Sequence, residues 1–191
     1  MKKVILFILV LLLLLPITAN AQNDSDFRNL NWGMNRQEII EVEGKPIDEF
    51  DDTLVYQVTI GGTDYTLYLS LIENELVRAI YGNSNDYIDK NAYYDDFTSI
   101  NNSLEDLYGK PDTSNDNWRD DNLKGIYSKE TAFQLGQIDF LRIWNLEKTK
   151  IVHSLNMKNF EATHYFAYTS TLNKHQNLIE EESKEKTSNQ L

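Results

Sequence analysis

Twice in this chain a stretch with helical spacing runs into Gly-Lys-Pro: VEGKPID at residues 42–48 and LYGKPDT at residues 107–113. Glycine adopts backbone conformations that residues with a Cβ resist, and proline cannot prolong a helix because it has no amide hydrogen to give. Each copy is therefore a helix stop that turns the chain into something extended. It is not a phosphate loop, since neither copy carries a glycine-rich approach or a Ser or Thr after the lysine.

The helices ahead of the two stops differ in length but agree in pattern. Asn35 suits an N-cap, with Glu38 as its capping-box partner and Met34 and Ile39 as a hydrophobic staple, so a helix is expected from Arg36 to about Glu43. The second helix is amphipathic, with Tyr93, Phe97, Ile100, Leu104 and Leu107 on one face. Superposing Gly44 on Gly109 sets Trp32 against Phe97, Ile39 against Leu104 and Val42 against Leu107.

Behind the first stop, TLVYQVTI, DYTLYLSLI and ELVRAIYG alternate in polarity and are parted by short turns, the pattern of a three-stranded antiparallel meander. Behind the second stop, DTSNDNWRDDN is expected as a polar loop, followed by strand-like runs near 123–128, 138–146, 149–157 and 160–170. The expected fold class is α+β. Two tandem repeats, 28–83 and 84–170, each place a helix before an antiparallel β-meander, with the helices packed on one face of a shared or adjoining sheet. Residues 22–27 form an N-terminal lead, polar over 22–26, and the charged segment 171–191 is expected to be a disordered tail.

The opening MKKVILFILVLLLLLPITANAQ has a basic start, an apolar run broken by Pro16 and an Ala-Asn-Ala site, which together read as a signal peptide over 1–21. The expected location is exported, periplasmic or extracellular, with no stable membrane anchor after cleavage at Ala21. No cysteine is present, so neither disulfides nor a cysteine-linked lipid contribute. The whole chain carries a net charge of −12; without Lys2 and Lys3, 18 − 2 = 16 basic residues face 30 acidic ones, giving −14. Nucleic acid is excluded as a partner, because phosphate binding needs clustered positive charge. Such a charge suits a basic protein partner or a cation.

The stretch GMNRQEIIEVEGKP, residues 33–46, resembles the opening motif of the SmpA/OmlA family of small outer-membrane-assembly lipoproteins. Gly33, Met34, Gly44 and Pro46 match it, and YTLYLSLIENELVRAI is similar to that family's later hairpin. Two such units in tandem resemble the layout of the secreted beta-lactamase inhibitor protein family. The resemblance implies an exported module that binds protein.

No nucleophile, zinc-protease or dinucleotide motif occurs, and no catalytic residue, metal or cofactor is assigned. A hairpin turning at Lys158-Asn159 sets His153 directly across from His164, a pair short of a third ligand and commoner as cross-strand polar partners than as a metal site. His175 falls in the tail. Asp112, Ser114 and Asp116 alternate as in a calcium loop, but Asn117 and Leu123 stand where that loop needs Gly and Glu. The face of the sheet away from the helices is the candidate site, with Tyr68, Arg78, Arg142, Trp144 and Tyr165 as partner-binding residues of the types that dominate protein contacts. The reading is a non-enzymatic protein-binding module, in its sharper form an inhibitor of a secreted enzyme; the alternative is a structural or assembly factor of the cell envelope.

Overall fold

Eight strands form one antiparallel sheet in the order β1-β2-β3-β4-β8-β7-β6-β5, in a computed structural model that describes residues 25–188. The signal peptide expected over 1–21 lies outside the described residues. The strands are β1 (Asp48–Phe50), β2 (Thr53–Ile60), β3 (Thr63–Ile72), β4 (Glu75–Asn83), β5 (Thr113–Trp118), β6 (Ile138–Asn145), β7 (Thr149–Lys158) and β8 (Glu161–Ser170). The helices are α1 (Arg36–Glu43), α2 (Asn91–Tyr108), α3 (Lys129–Gln134) and α4 (Asn173–Ser188). Strands β1 to β4 and β5 to β8 each follow one another in space, and the two sets join through β4 and β8.

Both Gly-Lys-Pro stops are built alike. Asn35 caps α1 with the full capping box, and Gly44 ends it at φ 85°, ψ −173°. Gly109 ends α2 at φ 77°, ψ −170°. This region of positive φ and extended ψ is open essentially to glycine alone, and it sends the chain straight into a strand where an ordinary left-handed cap would curl back. Each glycine carbonyl then accepts a hydrogen bond from an aromatic donor of the core: Tyr56 Oη to Gly44 at 3.1 Å and Trp144 Nε1 to Gly109 at 2.8 Å.

Register defines the core face. Leu54, Leu69, Ala79, Tyr168, Ile151 and Trp144 form one row across the strands, and Tyr56, Leu67, Tyr81, Phe166, His153 and Arg142 form the next. Ile39 of α1 and Ile100 and Leu104 of α2 pack on these rows, while Tyr93, Phe97 and Phe133 of α3 close the β6–β7 end. Val42 and Leu107, aligned as apolar positions, are 43% and 71% exposed.

Four expectations change. The polar run at 113–118 is the edge strand β5, because an edge strand needs backbone pairing on one side only and polar side chains there discourage further pairing. Residues 123–128 follow a 3₁₀ turn at Asp121–Leu123 and carry an isolated bridge between Lys124 and Tyr127 instead of a strand. The short β1 and α3 were not anticipated; α3 starts at Ser128, whose hydroxyl accepts from Thr131 N. The segment 173–188 is the helix α4 and not a disordered tail, since buried His175 binds Ser170 Oγ at 2.8 Å and Glu75 at 3.2 Å and Lys174 also pairs with Glu75.

Gly109→Ala and Gly44→Ala should each lower unfolding stability by about 1–3 kcal/mol in urea titrations. Trp144→Phe, which leaves the Gly109 carbonyl without its donor, should cost about 1–3 kcal/mol; unchanged midpoints in all three would contradict the shared stop.

Candidate functional site

Helices α1, α2 and α3 pack on one face of the sheet; on the opposite face, which Glu182 of α4 reaches only at the Arg78 edge, the side chains also fall into rows. The central row is Val55–Tyr68–Ile80–Ala167–Val152–Ile143, six apolar or aromatic residues from six adjacent strands, ending at Asp48 on β1 and Thr113 on β5. With strands about 4.8 Å apart, this band is about 24 Å long. One flank runs Gln57–Thr66–Gly82–Tyr165–Ser154–Leu141–Asn115. The other runs Phe50–Thr53–Ser70–Arg78–Thr169–Lys150–Asn145.

Three of the five expected contact residues come together here. Tyr68 stands in the central row against the edge of the half-exposed Phe50 ring, 6.3 Å between centroids. Its ring lies over Gly82, where a Cβ would approach to 3.8 Å. Arg78 and Tyr165 stand one row to either side, and Arg78 makes no ion pair among the described residues.

Arg142 and Trp144 do not belong to this face. They share a face, as alternation requires, but it is the core face. Trp144 is 1% exposed, and the Arg142 guanidinium lies 5.6 Å from the Phe97 ring centre, held by Asp116 at 2.8 Å. An arginine is tolerated at this position because the edge strand supplies both a carboxylate and the Asn115 carbonyl, so none of its charge is buried unpaired.

The two histidines meet on the core face, though not as a directly opposed pair. The hairpin turns at Asn159-Phe160, both at positive φ, so His153 pairs with Phe166 and Leu155 with His164. The rings are diagonal neighbours with Nε2 to Nε2 at 3.0 Å, His153 stacked on Phe97 at 4.2 Å.

A single arrangement of protons satisfies the surrounding hydrogen bonds. Asn83 Oδ1 accepts from Asn85 N, so its Nδ2 faces Asp96 Oδ2 at 2.8 Å and His164 Nδ1 at 3.3 Å. His164 Nδ1 is then an acceptor, its Nε2–H donates to His153 Nε2, and the proton of His153 resides on Nδ1, a buried atom without a protein partner. Asp96 also accepts from Thr63 Oγ1 and Tyr87 Oη at 2.8 and 2.7 Å. Its charge and burial push the Tyr87 hydroxyl up to about 12, burial being the larger cause.

Burial holds His153 well below its ordinary value, with His164 and Arg142 adding to the effect. His164 is pushed down to about 4 by burial, against the pull of Asp96. Neither imidazole lines the cavities at residues 50–53, 135–136 or 154–160. Among the described residues no three His, Cys, Asp or Glu side chains gather where they could hold a metal ion. The pair belongs to a polar network inside the core, and its geometry accounts for the two Nε2 atoms as partners of each other while His153 Nδ1 stays unpartnered.

No protein-family model, curated protein or solved structure matches the chain.

Because the folded pKa of His164 lies below the unfolded value of about 6.5, the folded state binds fewer protons in between. Its stabilising effect is complete above pH 6.5 and is lost as pH falls to about 4, a swing of about 3 kcal/mol. Urea titrations across that window should show the decline, and the apolar double variant His153→Phe/His164→Leu should flatten it without loss of stability at pH 7. A decline of the same size in the double variant would contradict the assignment.

Proposed function

We propose that this chain is an exported, non-enzymatic module that binds a protein partner through the uncovered face of its sheet. The observation that carries the reading is the central apolar row from Val55 to Ile143, unbroken across six strands on the side away from α1, α2 and α3, with Tyr68, Ile80, Val152 and Ile143 partly exposed and Val55 and Ala167 buried between their neighbours. Tyr68, Tyr165 and unpaired Arg78 on or beside it are the side-chain types that concentrate binding energy. A face of this kind can seat a rigid surface without rearrangement, which suits the sharper form of the proposal, inhibition of a secreted enzyme.

The same reading takes the molecule as two tandem repeats. Its support is the similar conformation of Gly44 and Gly109, the aromatic donor to each carbonyl, and the four strands that follow each helix. The repeats have diverged, for α1 has 8 residues and α2 has 18, and only the second carries an inserted helix, α3. Export rests on the signal peptide read over 1–21. A second reading, an envelope assembly factor working through its helix side, is favoured by the exposure of Val42 and Leu107 at matching places before the two stops.

Affinity capture from envelope and culture fluid with the tagged mature chain tests the choice. Ile80→Asp should reduce recovery of a specific partner at least tenfold with the circular-dichroism spectrum unchanged, while Leu107→Asp should leave recovery unaffected. The opposite pattern would favour the helix side, and equal recovery with both variants would contradict both surfaces.

A further inference from the structure

The last helix is fastened to the sheet at one end. His175, in the first turn of α4, is buried at 3% exposure, 2.8 Å from Ser170 Oγ at the end of β8 and 3.2 Å from Glu75 at the start of β4. Lys174 pairs with the same Glu75 carboxylate, and Gln176 Nε2 donates to the Ser170 carbonyl. Farther along, Leu178, Ile179 and Glu182 are only half-buried, while Glu180, Glu181, Ser183 and Lys184 are exposed. One carboxylate thus holds two of the three anchoring side chains. Without it, buried His175 Nε2 would lose its partner together with the Lys174 ion pair, so the anchor lets go as a unit.

From that anchor α4 leads onto the face away from α1, α2 and α3. Between His175 and Glu182 the helix advances about 10 Å, or about two strand spacings. Glu182 accordingly lines a cavity of about 410 Å³ with Phe50, Thr53, Ser70, Val77 and Arg78, residues of β1 through β4. Val77 gives independent support. The register slips between Ser70 and Leu71, so β4 sets both Val77 and Arg78 against Ser70 on the same side of the sheet. Val77 is 1% exposed, yet it lies outside both apolar clusters under the other helices. The helix that shares its cavity is α4.

The flank that α4 reaches adjoins the central row. Thr53, Ser70 and Arg78 stand two residues along their strands from Val55, Tyr68 and Ile80, about 7 Å away. A partner that covers the row and extends one side chain beyond it meets α4. Resting on the protein-binding reading above, we infer that α4 is an autoinhibitory strap: latched at Glu75, it covers the Val77 end of the binding face, and the partner seats fully only when the latch opens. The surface released contains Val77 and adjoins the half-exposed Phe50, so opening adds apolar contact beside the row.

Iodoacetamide alkylation of a single cysteine in the full mature chain tests the strap, with Val77→Cys as the reporter and Val152→Cys as the control on the central row. Two variants open it by different routes: Glu75→Gln breaks the latch, and Leu178→Asp/Ile179→Asp leaves the latch and spoils the apolar side of α4. Each should speed alkylation at Val77→Cys at least tenfold and leave the rate at Val152→Cys within twofold. In affinity capture, each should also raise recovery of the partner whose capture Ile80→Asp abolishes, at least threefold. An unchanged rate at Val77→Cys in both variants, or equal acceleration at both reporters, would overturn the strap and leave the binding face untouched. Acceleration at Val77→Cys alone without a rise in recovery would overturn the autoinhibitory role, and recovery indifferent to Ile80→Asp as well would contradict the face along with it.

Discussion

The pairing of β4 with β8 is the contact on which the rest of the molecule depends. Five residue pairs, from Arg78 with Thr169 to Gly82 with Tyr165, join two runs of four strands into one sheet. Because side chains alternate along a strand, this register settles both faces at once. On the core side it stacks Tyr81 on Phe166 with ring centres 4.4 Å apart; on the other it sets Ile80 beside Ala167 and closes the only gap in the central apolar row. A slip of one residue would carry Phe166 and Tyr168 into solvent and break both surfaces, so burial of these aromatics enforces the register.

The core face carries an internal tension. Two neutral imidazoles, an asparagine and a carboxylate occupy space that apolar residues could fill, and one of them, His153, keeps an N–H without a partner. An unpaired buried donor costs about 1–3 kcal/mol, so this network is a place where the fold gives up stability. In exchange it ties α2 to the sheet by directional bonds: Asp96 on the helix reaches Thr63 of β3 and Asn83 of β4, and through Asn83 the chain of bonds passes to β8 and β7. Phe97 and Ile100 could slide on an apolar surface, but Asp96 fixes where along the sheet the helix rests.

Much of this was legible in the sequence, and the failures have physical causes. Capping chemistry gave α1 to the residue, and strict alternation gave β2, β3 and β4. The Gly-Lys-Pro stops were readable because few residue types tolerate that backbone. Strand β6 was harder. Its stretch FLRIW is apolar on both sides, so alternation could pair Arg142 with Trp144 without saying which way the pair faced; the answer depended on Asp116 in an edge strand whose polar sequence hid it. The histidine register shifted because Asn159-Phe160 forms the turn, and Phe at positive φ is not a signal one looks for. In the last segment, His175, Leu178, Ile179 and Glu182 recur at helical spacing, yet charge density around them dominated the reading. The open face was legible only as a list of residue types, since its order across strands comes from long-range register.

The central claim is that the row from Val55 to Ile143 is where this protein meets its partner. The chain contains no cysteine, so single cysteines can report on individual positions. Placing one at Ile80, Val152 or Leu107 and measuring alkylation rates with and without the captured partner tests that claim most directly. The account predicts strong protection at Ile80 and Val152 in the complex and none at Leu107; protection at Leu107 with the two row positions still reactive would contradict it.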